Sequence, residues 1–322
     1  MILALLVLLG VIALVQWRAA TRESLAEAAA PPSGQMVDVD GVQVHARVLG
    51  SGPDLVMIHG ASGNLRDFTF DLAQRLSPHY RVTLLDRPGL GWTARLPAYA
   101  GAWRKTAEPP REQAALLQRA ADQLGVKNPI VLGHSYGGAV ALAWGLTRPE
   151  ETAALVLLAA VSKPWPGGLG WLYKLTGSTL GSALVIPMIT AFAPKRAVES
   201  SIEAIFAPQS APAGYEAHIG TGLTLRRTST RANAQQVTSL RPHIVEMSQD
   251  YHRLKMPVEL VHGSADTIVP LQIHSEPLLK DIPQARLTRL PGIGHMPHHA
   301  NPQSVIDAID RAARDAGLRP RP

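Results

Sequence analysis

The chain is predicted to be an α/β protein: a mostly parallel sheet flanked by helices, with an inserted helical cap and an N-terminal membrane helix. Three observations predict this. Short, fully apolar runs recur at Leu55–Ile58, Val82–Leu85, Ile130–Leu132, Ala154–Ala160 and Val258–Val261, several separated by stretches of helical spacing, which is the pattern of strands covered on both faces. The alternation stops between about Ser162 and Met256, a stretch rich in Pro, Gly, Ser and Thr with apolar patches of its own, as expected of an insertion. Finally, Met1 to Val15 is uninterrupted apolar sequence.

In chain order, the apolar run comes first. A helix from Met1 to Trp17, at ~1.5 Å per residue, reaches about 25 Å and can just cross a hydrocarbon layer of ~30 Å. Trp17 and Arg18 would then lie at the interface. A cleaved signal peptide carries its positive charge before the apolar run, whereas Arg18 and Arg22 follow it here, and Ala28-Ala29-Ala30 lies well downstream. An uncleaved anchor over residues 1–18 is therefore expected, with secretion by a cleaved signal peptide as the alternative. Residues 19–35 are small, polar and proline-terminated, the composition of a linker. The core is expected over 36–161 and 257–318, and the cap over 162–256.

From Met36 the alternating run MVDVDGVQVHARV places Asp40-Gly41 between two apolar-polar segments, the signal of an antiparallel hairpin. Helical spacing is clearest at Arg111–Leu124, with Leu116, Leu117, Ala120 and Leu124 on one side and Gly125 as a stop. A second helix is expected from Tyr136 to Arg148, ended by Pro149. The last has Asn301 as cap, Pro302 in the first turn, and Val305, Ile306, Ile309 and Ala312 as the buried stripe up to Gly317.

Composition narrows the function. With 322 residues, 46% in the hydrophobic set and 17% charged, the chain can bury a large core. The net charge of +6 comes from scattered residues, with no basic block interleaved with aromatics, so a nucleic-acid partner is not expected. There is no cysteine, which removes disulfides and thiolate chemistry and leaves oxygen or nitrogen as the nucleophile. The glycine loops at 60–63 and 89–91 do not form a dinucleotide-binding pattern, and no cofactor is expected.

The decisive segment is Ile130-Val-Leu-Gly133-His134-Ser135-Tyr136-Gly137-Gly138: a strand, G-x-S-x-G, then a helix. A serine on so sharp a turn needs neighbours without side chains so that helix and strand can approach, and Gly133 and Gly137 meet that need. Ser135 would stand above the sheet with the Tyr136 N–H beside it at the helix start. The competing reading is a plain glycine-rich turn, against which the strand and helix context argues.

With this segment the sequence resembles the α/β-hydrolase family, over nearly everything from Met36 to Gly317 except the cap. Leu55-Val-Met-Ile-His59-Gly60-Ala61-Ser62-Gly63-Asn64 is similar to the family's oxyanion loop, which implies Ala61 N–H and Tyr136 N–H as the two oxyanion donors. Leu84-Leu85-Asp86-Arg87-Pro88-Gly89-Leu90-Gly91-Trp92-Thr93 is similar to the loop after the next strand and is given a structural role. Glu259 to Pro270, containing His262-Gly263-Ser264-Ala265-Asp266, resembles the acid-bearing strand and loop, and Pro291-Gly-Ile-Gly-His295-Met-Pro-His298 the histidine loop. The resemblance thus implies a triad of Ser135, His295 and Asp266. In that triad a neutral imidazole activates the hydroxyl and the carboxylate fixes its tautomer.

Each assignment has a competitor. Asp266 could be a turn residue, but the loop Val161-Ser162-Lys163 after the preceding strand offers no other acid. Asp86 is another acid at a strand end, in a turn-like Arg-Pro-Gly context. His59, His134 and His262 are expected to be loop hydrogen-bonders, and His274, His298 and His299 structural. A metal site from His295, His298 and His299 is disfavoured, because no carboxylate stands at a matching spacing.

The expected activity is serine hydrolysis of a carboxylic ester through an acyl-enzyme. Trp165, Trp171, Tyr173 and the run Leu184–Ile189 make the cap apolar, so the expected substrate is a small lipophilic ester near a membrane, although these residues could equally pack the cap onto the core. Carbon–carbon bond, lactone or peptide hydrolysis on the same triad is the alternative. For an acidic substrate, Arg226, Arg227 and Arg231 are the cap residues to examine. A non-catalytic binding protein on this fold is the remaining reading.

Overall fold

The computed structural model describes residues 1–320. Its strands are β1 (Gln35–Val39), β2 (Val42–Leu49), β3 (Asp54–Ile58), β4 (Arg81–Leu85), β5 (Ile130–His134), β6 (Ala154–Leu158), β7 (Val258–Gly263) and β8 (Arg286–Leu290). Asp40 and Gly41 take φ of 52° and 82°, the backbone of a two-residue hairpin turn that matches strand twist, so β1 folds straight back on β2. The β1–β2 and β2–β4 pairings are antiparallel and all others parallel, in the order β1-β2-β4-β3-β5-β6-β7-β8.

The helices are α1 (Ile2–Ala29), α2 (Arg66–Thr69), α3 (Leu72–Leu76), α4 (Pro110–Gln123), α5 (Tyr136–Thr147), α6 (Trp171–Gly177), α7 (Ile186–Phe192), α8 (Lys195–Phe206), α9 (Tyr215–Ile219), α10 (Thr221–Thr224), α11 (Arg227–Met247), α12 (Ser275–Asp281), α13 (Pro297–Ala300) and α14 (Pro302–Asp315). Apolar strands make sense because each feeds two layers. Val56, Ile58, Val131, Leu155 and Leu260 pack with α4 and α5 on one face. Leu55, Met57, Leu132, Val156 and Val261 pack with α3 and α14 on the other. Asn301 Oδ1 caps α14 by accepting the Ser304 N–H at 3.1 Å. In α14, Val305, Ile309 and Ala312 are buried and Ile306 only partly so, each buried Val or Ile contributing about 1.5–3 kcal/mol.

Everything between β6 and β7 is helical or irregular, from α6 to α11, and forms the cap. Two elements differ from expectation. β8, an edge strand with exposed Arg286 and Arg289, carries no continuous apolar run because it lacks a neighbour on one side. Residues 19–29, expected as part of a linker, continue α1 without a break. Their Ala, Glu, Arg and Leu are good helix formers, and the cap holds this half of the helix. Arg227 binds Glu23 at 2.6 Å and Arg226 binds Glu27 at 3.0 Å.

Candidate active site

Ser135 stands between β5 and α5 with φ 53° and ψ −118°, a backbone costing about 1–3 kcal/mol unless its surroundings enforce it. They do so by proximity. A Cβ on Gly133 would lie 2.3 Å from the Gly137 carbonyl oxygen, and one on Gly137 would lie 2.2 Å from that of Ile58. The Ser135 N–H donates to the Leu158 carbonyl at 2.9 Å, while its own carbonyl accepts the N–H groups of Gly138 and Val161. Its Oγ has no hydrogen-bond partner among the described residues and is not sealed from solvent, in a residue only 7% exposed.

The loop after β3 abuts this elbow: a Cβ on Gly60 would lie 3.1 Å from Ser135 Cβ and 3.0 Å from His134 Nδ1. Neither Ala61 N–H nor Tyr136 N–H has an acceptor among the described residues, whereas the next amide, Ser62 N–H, donates to Asn233 Oδ1 on α11 at 2.7 Å. Two backbone donors beside an unpartnered hydroxyl are the arrangement that can stabilise a developing oxyanion.

The loop is held from behind by Arg87, whose guanidinium is fully buried. Its Nε and Nη2 donate to the His59 and Gly60 carbonyls at 3.0 Å each, and its Nη1 donates to Gln113 and Gln236. The cation lies 4.2 Å from the Tyr136 ring centre. His59 Nδ1–H donates to the Gly60 carbonyl, and its Nε2 accepts the Arg87 N–H. Burial and the Arg87 charge push the His59 pKa down to about 4, so the ring stays neutral. Asp86 accepts from His45 Nδ1–H and from the Leu65 and Trp92 N–H groups at 2.7–2.8 Å, a structural role as expected from its turn context.

On the other side, a Cβ on Gly263 would lie 2.1 Å from the Ile293 carbonyl oxygen, so the end of β7 touches the histidine loop. There His295 Nδ1–H donates to Asp266 Oδ2 at 2.7 Å. The Ile268 and Val269 N–H groups donate to Asp266 Oδ1 at 2.9 Å each. Burial by itself would raise the Asp266 carboxyl, but hydrogen bonds from His262 and His295 and the His295 charge hold it well below the usual carboxylate range. The His295 Nε2 has no partner among the described residues and is not sealed from solvent. His134, the residue before Ser135, donates Nε2–H to the His295 carbonyl at 2.9 Å. No hydrogen bond joins Ser135 Oγ to His295 among the described residues, although both lie at the same end of the sheet.

A carboxylate does meet His298 and His299. It is Asp67, on α2, with Oδ2 3.0 Å from His298 Nε2 and Oδ1 2.8 Å from His299 Nε2 and 2.9 Å from Tyr215 OH. The partners lie 148 to 232 residues apart in sequence, so no local spacing reveals them. The partners of the fully buried Arg87 guanidinium are likewise spread over distant segments, at His59, Gln113 and Gln236, beyond what its Asp-Arg-Pro-Gly loop reveals. The cap arginines are occupied: Arg226 and Arg227 pair with α1, and Arg231 Nε donates to Ser182 Oγ at 2.6 Å.

Known proteins agree with this architecture. The model of the alpha/beta hydrolase family matches residues 55–308. The chain is 28% identical over 286 residues to a pimeloyl-(acyl-carrier protein) methyl ester esterase of Aromatoleum aromaticum, covering 81% of this chain and 98% of that protein. It is also 28% identical to the protein of the same name from Nitrosomonas europaea, covering 83% and 98%. Among solved structures, a thermophilic esterase of Thermogutta terrifontis superposes with a TM-score of 0.67 at 20% identity, covering 88% of this chain and 99% of that one. The chain belongs to the alpha/beta hydrolase family, as an esterase-like hydrolase.

Proposed function

We propose that the protein hydrolyses a lipophilic carboxylic ester through Ser135, His295 and Asp266. His295 Nε2 takes the hydroxyl proton as Ser135 Oγ bonds to the ester carbonyl carbon, and the carbonyl oxygen becomes an oxyanion facing the N–H groups of Ala61 and Tyr136. Collapse expels the alcohol, which receives the proton from His295 and leaves the acyl group on Ser135. Water then attacks that ester with His295 as base, releasing the acid and restoring the serine. Asp266 keeps the imidazole in the Nδ1–H tautomer throughout. One observation carries the reading: among the described residues Ser135 Oγ and His295 Nε2 have no partner and neither is sealed from solvent, while Nδ1 of the same imidazole is bound to an ionised carboxylate.

Ester hydrolysis is favoured by relatives named for methyl ester cleavage. A recognition site for an anionic substrate finds no support in the cap arginines, which α1 and Ser182 already engage. We further read residues 1–18 as an uncleaved membrane anchor, 36–161 with 257–318 as the catalytic core, and 162–256 as the cap. Arg18, Arg22, Glu23 and Glu27 bind the cap from within one helix, contacts that loss of the leader would remove.

The test is fluorophosphonate labelling of the detergent-solubilised protein beside Ser135→Ala and His295→Ala, followed by hydrolysis of p-nitrophenyl esters of increasing chain length. Labelling lost in both variants, with turnover that rises with chain length, is the expected result. Turnover that falls steadily with chain length overturns the lipophilic substrate. Labelling without ester turnover points to carbon–carbon, lactone or peptide hydrolysis, and labelling that persists in Ser135→Ala removes the triad.

A further inference from the structure

The cap exposes apolar surface where a water-soluble protein would place polar side chains. Along Leu180–Phe192, the residues Leu180, Leu184, Met188 and Phe192 are 67%, 63%, 46% and 44% exposed. Spaced four apart, they form one stripe along the outside of the helix. The opposite side is buried against the cap through Ser182, Ile186 and Thr190. Trp171 and Leu172 on α6 are 74% and 48% exposed and adjoin the same layer, since only a short break with a 92° bend separates α6 from the segment Gly181–Phe192, whose first turn is π-helical (Gly181–Val185). A patch of this kind on a monomer marks an interaction surface.

Its position relative to α1 identifies the partner. α7 lies along α1 where the latter leaves its apolar run: Val15, Ala19 and Ala191 form a closed cluster. Arg18 Nε donates to the Ala191 carbonyl at 2.9 Å, Arg22 donates to that of Ala193 at 3.1 Å, and the Arg18 guanidinium stands 5.1 Å from the Phe192 ring centre. The stripe therefore begins beside Trp17 and Arg18, at the depth where α1 passes from lipid to headgroups if it spans a membrane. Lys195 and Arg196 follow Phe192, and Lys174 lies within α6, cations suited to an anionic headgroup layer. The segment is not a second span, because Ser182 Oγ accepts from Arg231 and Thr190 Oγ1 donates to the Leu225 carbonyl at 2.7 Å, polar ties that keep it on the cap.

We propose that this face of the cap is a lipid-binding surface, seated in the interface of the same bilayer that α1 enters. The cap then lies with Leu180, Leu184, Met188, Phe192, Trp171 and Leu172 among the acyl chains just below the headgroups, in the manner of an interfacial amphipathic helix. α11, which binds the loop after β3 through Asn233, belongs to the same cap, so the proposal puts an element that contacts the candidate site in the membrane-bound part. The inference rests on α1 being a membrane span and is tested separately from it.

The absence of cysteine allows single labels. Full-length protein carrying Leu184→Cys, Met188→Cys, Leu8→Cys or Lys127→Cys, each labelled with an environment-sensitive fluorophore, is reconstituted in phosphatidylcholine–phosphatidylglycerol vesicles containing lipids spin-labelled either near the headgroup or near the chain end. Labels at 184 and 188 are expected to shift to the blue and lose most of their emission to the shallow spin label. The label at 8 should respond more to the deep one, and the label at 127, on the far side of the core, to neither. Labels at 184 and 188 as insensitive as that at 127, with position 8 quenched, overturn the proposal while leaving the span intact. If position 8 is also unquenched, both fall. A blue shift at 184 and 188 without quenching assigns the face to a second protein copy and likewise overturns lipid binding.

Discussion

At the scale of single residues, the candidate site depends on groups whose roles are separated by what surrounds them. His59 and His295 are both histidines at loops beside Ser135. The first has both ring nitrogens engaged and its pKa pushed down to about 4 by burial and Arg87, which suits a structural spacer. The second has one nitrogen bound to Asp266 and the other open, which suits a base. Arg87 is the residue whose removal is most informative. It donates to the carbonyls of His59 and Gly60, just before Ala61, and so would act as a positioning residue for the proposed oxyanion donor. Arg87→Met is expected to lower kcat for a p-nitrophenyl ester roughly 10- to 100-fold with little change in KM. Arg87→Lys should recover only part, since a lysine lacks the fork that reaches both carbonyls. An unchanged kcat in a folded Arg87→Met protein would remove that role.

Among the elements, the β5–α5 junction is the part in which local sequence and tertiary contact agree most closely. Its glycines are required by distances: position 137 meets the Ile58 carbonyl of the neighbouring strand, a backbone atom that cannot swing aside. Gly137→Ala should therefore destabilise the protein by about 3 kcal/mol or more, read as a lower urea midpoint, and a midpoint equal to wild type would show that helix and strand can separate there. α1 illustrates the opposite case. Its apolar half is evident from hydropathy, but its polar half looks like a linker until Glu23 and Glu27 are seen against Arg226 and Arg227. Those pairs are partly exposed, so their weight lies in fixing the direction of α1 relative to the cap more than in stability.

For the whole molecule, buried titrating groups set a common pH response. Burial, with Arg87 for His59 and His262 for His274, pushes both pKa values down to about 4, and burial, followed by the charges of neighbouring histidines, pushes His134 well below its usual range. Unfolded histidines titrate near ~6.5. The unfolded chain thus binds more protons below that pH, and stability must fall as the solution is acidified from about 6.5 towards 4. His59 and His274 should each cost about 2 kcal/mol between pH 7 and pH 5. Asp67, Asp86 and Asp266, all held below the ordinary carboxylate range, add a further loss at still lower pH. Denaturant titrations should show a midpoint that is level above pH 7 and drops steeply by pH 5, and a midpoint unchanged between the two would contradict neutral buried histidines.

Much of this was legible from the chain alone. Apolar runs, the Asp40-Gly41 turn, the Asn301-Pro302 helix start and the Gly-x-Ser-x-Gly segment act over a few neighbouring residues, and their stereochemistry constrains the backbone wherever they occur. From them came the parallel sheet, the hairpin, the ends of α4, α5 and α14, and the candidate nucleophile Ser135, whereas Asp266 and His295 came from the resemblance of their loops to those of the α/β-hydrolase family. What only the tertiary structure decided are contacts between segments far apart: the Asp266–His295 hydrogen bond, the grip of Arg87 on the oxyanion loop, Asp67 among His298, His299 and Tyr215, and the docking of α1 on the cap. β8 belongs with them, since an edge strand open on one side has no need of an apolar run. The physical reason is shared. A buried charge or a backbone carbonyl selects its partner by distance and desolvation in the folded chain, and neither quantity exists until the sheet has brought the loops at its carboxyl end together.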